Sequence, residues 1–269
     1  MRIACFQGPQ RPDTTAGNLS RLASVARQAR ENGATLLVAP ELFLTGYAIG
    51  AEAVARLAEP LDGPSLRTAS RIAQDEKIAL IFGFAERAGD KVYNTTVVLD
   101  PDGATVASYR KTHLFGDVDR EQFSDGGIEP GVFALGGFKV GLLICYDVEF
   151  PENVRAHALR GADLVIVPTA LMQPFDVVAR VIVPARAYEN QLFVAYVDRC
   201  GSEGPFDYCG LSCVVGPDGS DLARAGRGEE LIFADLDRQA LEQSRRINTH
   251  LSDRRPELYG RLTEGDQRR

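Results

Sequence analysis

The segment KVGLLICYDVEFPENVR, residues 139–155, carries a thiol to the end of a predicted buried strand. Residues 140–144 form a short apolar run of the kind that α/β sheets bury, and Cys145 follows at once. Acidic residues come next, beginning with Asp147 and Glu149. A cysteine that only fills a core needs no such neighbours, whereas a nucleophilic thiol needs charged groups around it. The segment therefore predicts a reactive cysteine at a strand end.

Outward from this segment, short apolar runs alternate with helical patterns along the chain. Leu19, Leu22, Ala26 and Ala29 recur at helical spacing within residues 18–32. This alternation is typical of an α/β layered fold. The other predicted helices span 63–76 and 151–159, and the predicted strands span 2–6, 35–39, 78–86, 93–100, 105–110 and a hairpin over 132–145.

The two halves of the chain repeat each other in two places. GATLLVAPEL (33–42) resembles GADLVIVPTA (161–170), and YNTTVVLDPDG (93–103) resembles YCGLSCVVGPDG (208–219). One such match is expected by chance, because helix–strand junctions and Pro-Asp-Gly turns recur in α/β proteins. Two matches in the same order favour a duplicated architecture of two sheets.

No linker or low-complexity segment divides the two halves, so the sequence predicts one domain over residues 1–269. The region from about residue 250 to residue 269 is charged and lacks strong periodicity. It predicts a C-terminal arm that is either disordered or packed against a partner subunit.

Composition narrows the class of protein. The net charge is −7 at pH 7, which gives no electrostatic reason to bind nucleic acid or an anionic membrane. No apolar run has the length of a signal peptide core or a membrane span, so a cytoplasmic location is expected.

The five cysteines are odd in number, which predicts free thiols. Cys209 and Cys213 have no matching pair at zinc spacing, so no metal and no organic cofactor is expected.

Three predicted strand ends carry side chains that could act together. Glu41 follows the strand at 35–39, Lys111 follows the strand at 105–110, and Cys145 ends the third. Active sites of α/β sheets form at such ends. A thiol is mostly protonated near neutral pH and needs a base, and a desolvated carboxylate has a raised pKa that suits this role. An ammonium would stabilise the thiolate, and also the oxyanion formed when the thiolate attacks a carbonyl.

Each of these residues also has a purely structural interpretation. Glu41 could be a helix N-terminal carboxylate, Lys111 an edge-strand lysine and Cys145 a buried core thiol. Spacing along the chain does not decide between the two interpretations. The backbone N–H of Tyr146 is a candidate second oxyanion donor because it directly follows the cysteine, and Tyr47 is a candidate pocket residue.

The segments PELFLTGY, YRKTHLFG and LLICYDVEFPE resemble the three signature segments of the nitrilase superfamily, the carbon–nitrogen hydrolases. They occur in the family's order, and the resemblance covers nearly the whole chain. It implies a four-layer αββα sandwich that needs no cofactor and forms at least a homodimer. It also implies that Glu41 is the general base, Lys111 the oxyanion-stabilising cation and Cys145 the nucleophile.

Finer features resemble the amidase branch of that family. Tyr146 and Asp147 follow the cysteine, where true nitrilases usually have Trp-Glu. The longer pattern KTHLFGxxDRxxF, VPTAxMxP, RAxENQ and YCG is similar to that of the delta-aminovaleramidases (5-aminopentanamidases). The resemblance therefore implies that a linear aliphatic amide with an amine at its far end is hydrolysed to a carboxylate and ammonia through a cysteine thioester.

Two more site residues enter with the resemblance. Many family members have a second glutamate after the lysine segment, and Asp119 stands at that position here. Thr169 lies in the VPTA part of the longer pattern. Together with Tyr146 and Tyr47, these residues are the candidates for binding the substrate or the oxyanion.

Several other functions stay open at this point: an N-carbamoyl amine hydrolase, a dicarboxylate ω-amidase, a nitrilase, an acyl transferase and a non-catalytic scaffold. A cationic substrate predicts an acidic residue at the far end of the pocket. The candidates are Asp147, Glu149, Glu203 and Asp207. A dicarboxylate monoamide would instead need a basic residue there, such as Arg180 or Arg199.

Overall fold

The computed structural model describes residues 1–9, 13–127 and 131–262. In chain order, the strands of these ranges are β1 (Arg2–Gln7), β2 (Leu36–Val38), β3 (Ala79–Ala88), β4 (Lys91–Leu99), β5 (Thr105–Arg110), β6 (Phe133–Leu135), β7 (Phe138–Leu142), β8 (Leu164–Pro168), β9 (Phe193–Val197), β10 (Ser202–Glu203), β11 (Phe206–Asp207), β12 (Cys213–Val215), β13 (Asp221–Arg224) and β14 (Glu230–Asp235). The α-helices are α1 (Thr15–Glu31), α2 (Ala51–Leu57), α3 (Pro64–Glu76), α4 (Gly116–Arg120), α5 (Pro151–Leu159), α6 (Val183–Asn190) and α7 (Arg238–Ile247).

Two six-stranded sheets share one topology. The first runs β14-β1-β2-β3-β4-β5, and the second runs β6-β7-β8-β9-β12-β13. In each sheet the second, third and fourth strands are parallel, and the outer strands are antiparallel to their neighbours. The repeated sequence segments thus fall on equivalent strands, as the duplicated architecture predicted.

Successive side chains along the strands of the first sheet point to opposite faces and pack in two different layers. Ile3 and Cys5 of β1 face the core that is shared with the second sheet. Ala4 between them packs on the opposite side with Leu22 of α1 and Leu66 of α3. Helices α5 and α6 contribute apolar side chains to the core of the second sheet. The predicted four-layer αββα sandwich is confirmed.

The ends of several elements differ from the predictions for local reasons. Helix α1 begins three residues earlier than predicted, because the Thr14 hydroxyl accepts a hydrogen bond from Gly17 N at 3.1 Å and caps the helix. The predicted strand at 140–144 ends instead at Leu142, although Leu143 N still donates to Ile166 O at 3.0 Å. Helix α5 has the predicted bounds, with a proline in its first turn.

The C-terminal region continues past α7 in two short 3₁₀ turns, Pro256–Leu258 and Gly260–Leu262. The rest of the predicted arm, residues 263–269, lies outside the described residues. Packing of the arm on a partner subunit stays a prediction. Among the helices of the described ranges, none is long and apolar enough to cross a membrane, and the cytoplasmic location also stays a prediction.

His157 of α5 generates a prediction about pH. Its ring is buried against β7, where Nε2 donates to Leu142 O at 3.1 Å and where Gly141 leaves room that a side chain would fill. Burial lowers the pKa of His157 to about 4. In the unfolded chain the imidazole takes up its proton near the ordinary pKa of about 6.5. This residue's contribution to stability is therefore complete above that pH and declines as the pH falls toward 4.

We expect the free energy of unfolding of the wild type to fall by about 2 kcal/mol more between pH 7 and pH 5 than that of His157→Gln. Glutamine preserves a donor for Leu142 O and removes the titration. Urea unfolding at the two pH values measures the difference, and substitution of the exposed His250 by glutamine is the matched control. Equal slopes for wild type and His157→Gln would contradict the prediction.

Candidate active site

Cys145 lies at a sharp turn after β7. It begins a 3₁₀ turn, Cys145–Glu149, with a backbone φ of +46°, in the left-handed region that non-glycine residues rarely occupy. Its side chain is nearly buried, and the Ala170 backbone N–H is hydrogen-bonded to the thiol. The Tyr146 N–H lies in the first turn, where a helix leaves its N–H groups without internal acceptors. The turn can therefore present a thiol and a backbone donor side by side.

Asp147, one of the carboxylates that follow the thiol, has a structural role. It is fully buried, and its Oδ2 accepts from Ile144 N at 3.1 Å and from Tyr109 OH at 2.9 Å. Its Oδ1 accepts from Thr112 Oγ1 and from His113 N, each at 2.9 Å. Asp147 therefore ties the turn of the cysteine to the segment on both sides of Lys111.

Glu41 follows β2 on a backbone held from two sides. Arg199 is buried, and its Nη1 donates to the carbonyl oxygens of Glu41 and Leu42 at 3.3 and 3.2 Å. Across the sheet, Gly83 of β3 approaches so closely that a Cβ there would lie 2.2 Å from Leu42 N. These contacts fix the backbone position of Glu41, and therefore the position from which its side chain extends.

The side chains of Glu41, Lys111 and Asp119 meet in a fully buried cluster. Lys111 Nζ lies 2.8 Å from Glu41 Oε1 and 2.7 Å from Asp119 Oδ2. Asn94 Nδ2 donates to the same Glu41 Oε1 at 2.6 Å. Among the residues that the structure describes, no donor reaches Glu41 Oε2 or Asp119 Oδ1. The cluster therefore has two buried acceptors left for a ligand or for the thiol.

The pKa shifts follow from burial and from the uneven charges. Burial raises the pKa of Glu41 against the opposing Lys111 ammonium. Burial would lower the pKa of Lys111, but the carboxylates of Glu41 and Asp119 outweigh it and raise that pKa. Burial, followed by the Glu41 charge, raises the pKa of Cys145. These shifts favour the protonated form of the Cys145 thiol and of the Lys111 amine, and they make the Glu41 carboxylate more basic than an exposed one.

A cavity of about 250 Å³ opens beside Cys145. Its remaining walls are mostly apolar and aromatic: Tyr47, Phe115, Tyr146, Glu149, Ala170, Leu171, Met172 and Phe175. Tyr47, the candidate pocket residue, thus lines the cavity, and so does Tyr146, whose N–H as an oxyanion donor stays a prediction. Thr169 does not line it, because its hydroxyl donates to Val167 O at 3.0 Å and the wall is formed by Ala170 instead.

The four acidic residues that are candidates for binding a substrate amine differ in their hydrogen bonds and in whether they line the cavity. Asp147 is committed to its hydrogen bonds, and Glu203 accepts from the backbone N–H groups of Tyr47 and Ala48. Asp207 is exposed and accepts from Ser202 Oγ. Glu149 alone among the four lines the cavity, and neither Arg180 nor Arg199 does. Within the described ranges, no group of His, Cys, Asp or Glu side chains could hold a metal ion.

Sequence reasoning missed Asn94, Arg199 and the Ala170 N–H. Asn94 left one signal: it is an asparagine inside the strand YNTTVVL, and asparagine is uncommon in strands. Arg199 was considered only as a possible substrate contact, whereas its guanidinium supports the backbone of Glu41. The Ala170 N–H had no signal, because a backbone group does not depend on the residue type.

Comparison with known proteins gives consistent matches over nearly the whole chain. The carbon–nitrogen hydrolase family model matches residues 2–246. A hydrolase in the pqqF 5′ region of Pseudomonas protegens is 51% identical over 98% of this chain and 92% of that protein. An (R)-stereoselective amidase from Pseudomonas sp. is 41% identical over 98% of this chain and 95% of that protein.

A solved structure also matches closely. It is a mutant of an amidase from Nesterenkonia sp. AN1, showing the result of Michael addition of acrylamide at the active-site cysteine. It is 37% identical to this chain, covers 97% of this chain and 99% of its own, and superposes with a TM-score of 0.84.

Asn94 generates a prediction about the positioning of Glu41. Asn94→Ala removes the hydrogen bond that fixes Oε1, and this bond lowers the pKa of the carboxyl. We expect kcat to fall by on the order of 10²-fold, because small displacements of a catalytic group have effects of that size. The acidic limb of the pH–rate profile should move to higher pH.

The matched control is Thr96→Val on the same strand, since the buried Thr96 hydroxyl has no partner among the described residues. Circular dichroism checks that both variants fold. An Asn94→Ala enzyme with a wild-type kcat and an unchanged pH profile would show that Glu41 does not depend on this contact.

Proposed function

This chain belongs to the carbon–nitrogen hydrolase family and is an amidase of the nitrilase superfamily, and we propose that it hydrolyses linear aliphatic amides that carry an amino group at the far end, such as 5-aminopentanamide. The observation that carries the proposal is the cavity beside Cys145, in which Glu149 is the charged residue among the described residues of the lining. The products are the ω-amino carboxylate and ammonia.

In the proposed mechanism, Glu41 accepts the proton of the Cys145 thiol as the thiolate attacks the amide carbon. The carbonyl oxygen becomes an oxyanion, which the Lys111 ammonium and the Tyr146 N–H stabilise. The tetrahedral intermediate then expels ammonia, to which Glu41 returns the proton, and a thioester remains. Glu41 next takes a proton from water, the hydroxide attacks the thioester, and the thiol is regenerated with the carboxylate product.

The cluster supports these roles through its charges. The raised pKa of Glu41 makes it a better base than an exposed carboxylate. Its unpartnered Oε2 is available for proton transfer while Lys111 and Asn94 hold Oε1. Asp119 takes the place of the family's second glutamate, and its shorter side chain still reaches Lys111 Nζ at 2.7 Å.

The cavity supports the substrate class. A volume of about 250 Å³ accommodates a short linear chain, and the mostly apolar walls suit its methylene groups. A dicarboxylate monoamide would need a cation at the far end. Among the described residues, those that line the cavity include no Lys or Arg, which disfavours the ω-amidase alternative.

We also propose that the chain forms at least a homodimer. Several large apolar side chains are exposed along one stretch before and within α6: Phe175, Val177, Val181 and Tyr188. Large exposed apolar side chains that lie close together in the sequence are candidates for a protein interface. Light scattering at micromolar concentration tests this, and a mass near that of the single 29.2 kDa chain would contradict it.

The proposed reaction is tested by ammonia release from a panel of substrates with the wild type and Cys145→Ala. The panel contains 5-aminopentanamide, pentanamide, the monoamide of glutaric acid, an N-carbamoyl amine and pentanenitrile. We expect the highest kcat/KM for 5-aminopentanamide and a loss of at least about 10³-fold in the variant.

Other results would identify other reactions. A preference for the glutaric monoamide, the carbamoyl compound or the nitrile would replace the proposed substrate by that alternative. Hydroxamate formation with added hydroxylamine measures transfer to an amine instead of water. Turnover by Cys145→Ala equal to that of the wild type would overturn the role of the thiol.

A further inference from the structure

We propose that the amine end of the substrate is held as an ammonium between the Glu149 carboxylate and the rings of Phe115, Tyr146 and Phe175, so that this one site selects cationic amides and also accepts N-methylated amines. This inference rests on the proposed function, because it assigns the site for the proposed substrate's amine. It adds the residues that recognise the charge and a ligand class, the quaternary ammonium amides.

Glu149 is the charged residue that the structure places in the cavity wall. Among the described residues, no hydrogen-bond donor and no ion pair reaches its carboxylate. Burial raises its pKa, with Arg186 and Lys111 opposing. A carboxylate that has lost part of its hydration and gained no donor is stabilised by a cation that enters the cavity.

Arg186 is the nearest basic neighbour, but it is committed elsewhere. Its Nε donates to Val148 O at 3.0 Å, one Nη donates to the backbone carbonyl of Glu149 at 2.7 Å, and the other contacts Glu189 Oε1 at 3.1 Å. Arg186 therefore holds the backbone around Glu149 and leaves the carboxylate available.

The aromatic rings supply a second source of attraction. The ring of Phe115 meets that of Tyr146 at 5.3 Å and 72°, and that of Phe175 at 6.1 Å and 78°. Phe150 braces Tyr146 from a further direction at 4.9 Å and 78°. Rings at near right angles around one space offer faces and edges to a cation, and such arrangements bind quaternary ammonium groups.

A site of this kind makes a different demand on the ligand from a site that binds through hydrogen bonds. A hydrogen-bonding site requires N–H groups, whereas a carboxylate with aromatic rings attracts positive charge whatever its substituents. The wild type should therefore hydrolyse 5-(trimethylammonio)pentanamide with a kcat/KM within about tenfold of that for 5-aminopentanamide. The uncharged isostere 6,6-dimethylheptanamide should be a much poorer substrate.

The central experiment compares wild type, Glu149→Gln and Glu149→Lys with three amides of matched chain length: 5-aminopentanamide, pentanamide and the monoamide of glutaric acid. For Glu149→Gln we expect KM for the amino amide to rise about 10- to 100-fold, the size expected for loss of one charge-assisted contact, with kcat nearly unchanged. Pentanamide should be unaffected. For Glu149→Lys the preference should reverse toward the glutaric monoamide.

Two controls separate charge recognition from structure. Glu152→Gln removes an exposed carboxylate in the first turn of α5 that does not line this cavity, and it should leave all three kcat/KM values unchanged. Phe175→Leu preserves an apolar side chain at an exposed position and should weaken both cationic amides more than pentanamide. If Glu149→Gln does not fold, competitive inhibition of the wild type by butylammonium, and not by butanol, is the corresponding measurement.

The outcomes are distinguishable. Equal losses on charged and uncharged amides in Glu149→Gln would overturn the inference, as would wild-type kinetics in that variant or absence of butylammonium inhibition. A wild type that prefers primary amino amides but rejects the trimethylated one would overturn the role of the rings. A wild type with no preference for cationic amides would overturn the proposed substrate together with this site, and inactivity on every amide would overturn the proposed hydrolysis itself.

Discussion

The structure depends on one buried interaction, the sharing of a single ammonium by two carboxylates. Glu41 and Asp119 both contact Lys111 Nζ, and none of the three side chains is exposed to solvent. Removing three charges from water costs several kcal/mol for each ion, and their mutual attraction offsets this only in good geometry. The surrounding fold has to impose that geometry, because the cluster would not assemble unaided. The second carboxylate leaves the group with an excess negative charge, which adds to the effect of burial in raising the pKa of Glu41.

The two sheets bring this cluster and the thiol together from opposite sides. The first sheet supplies Glu41 and Lys111 from the ends of β2 and β5, and the second supplies Cys145 from the end of β7. Asp147 joins them, because it binds the turn of the cysteine and the segment around Lys111 with the same carboxylate. The acidic residues that follow the thiol therefore have separate tasks. Asp147 holds the two sheets' contributions together, whereas Glu149 faces the cavity.

Much of this was predictable from the sequence, and the limits have physical causes. The layers follow from apolar periodicity, and Glu41, Lys111 and Cys145 were identifiable because each follows a strand. The raised pKa of Glu41 follows from its apolar neighbours. The choice of Glu149 over Asp147 was not predictable, because it depends on how a tight 3₁₀ turn directs side chains two residues apart. The strand that precedes the cysteine was predicted two residues too long, because the apolar residues continue past Leu142, the last residue of the strand.

The shared topology of the two sheets has a consequence for how the centre is organised. The matched segments and strand registers place Thr169 and Arg227 of the second sheet, and Gly8 of the first, at the positions equivalent to Glu41, Lys111 and Cys145. Arg227 pairs with Asp176 at the surface, and Thr169 bonds to a neighbouring carbonyl. The molecule thus contains the same framework twice, once with reactive side chains and once without. A comparison of equivalent positions in the two sheets therefore separates the residues that the fold requires from those that the chemistry requires.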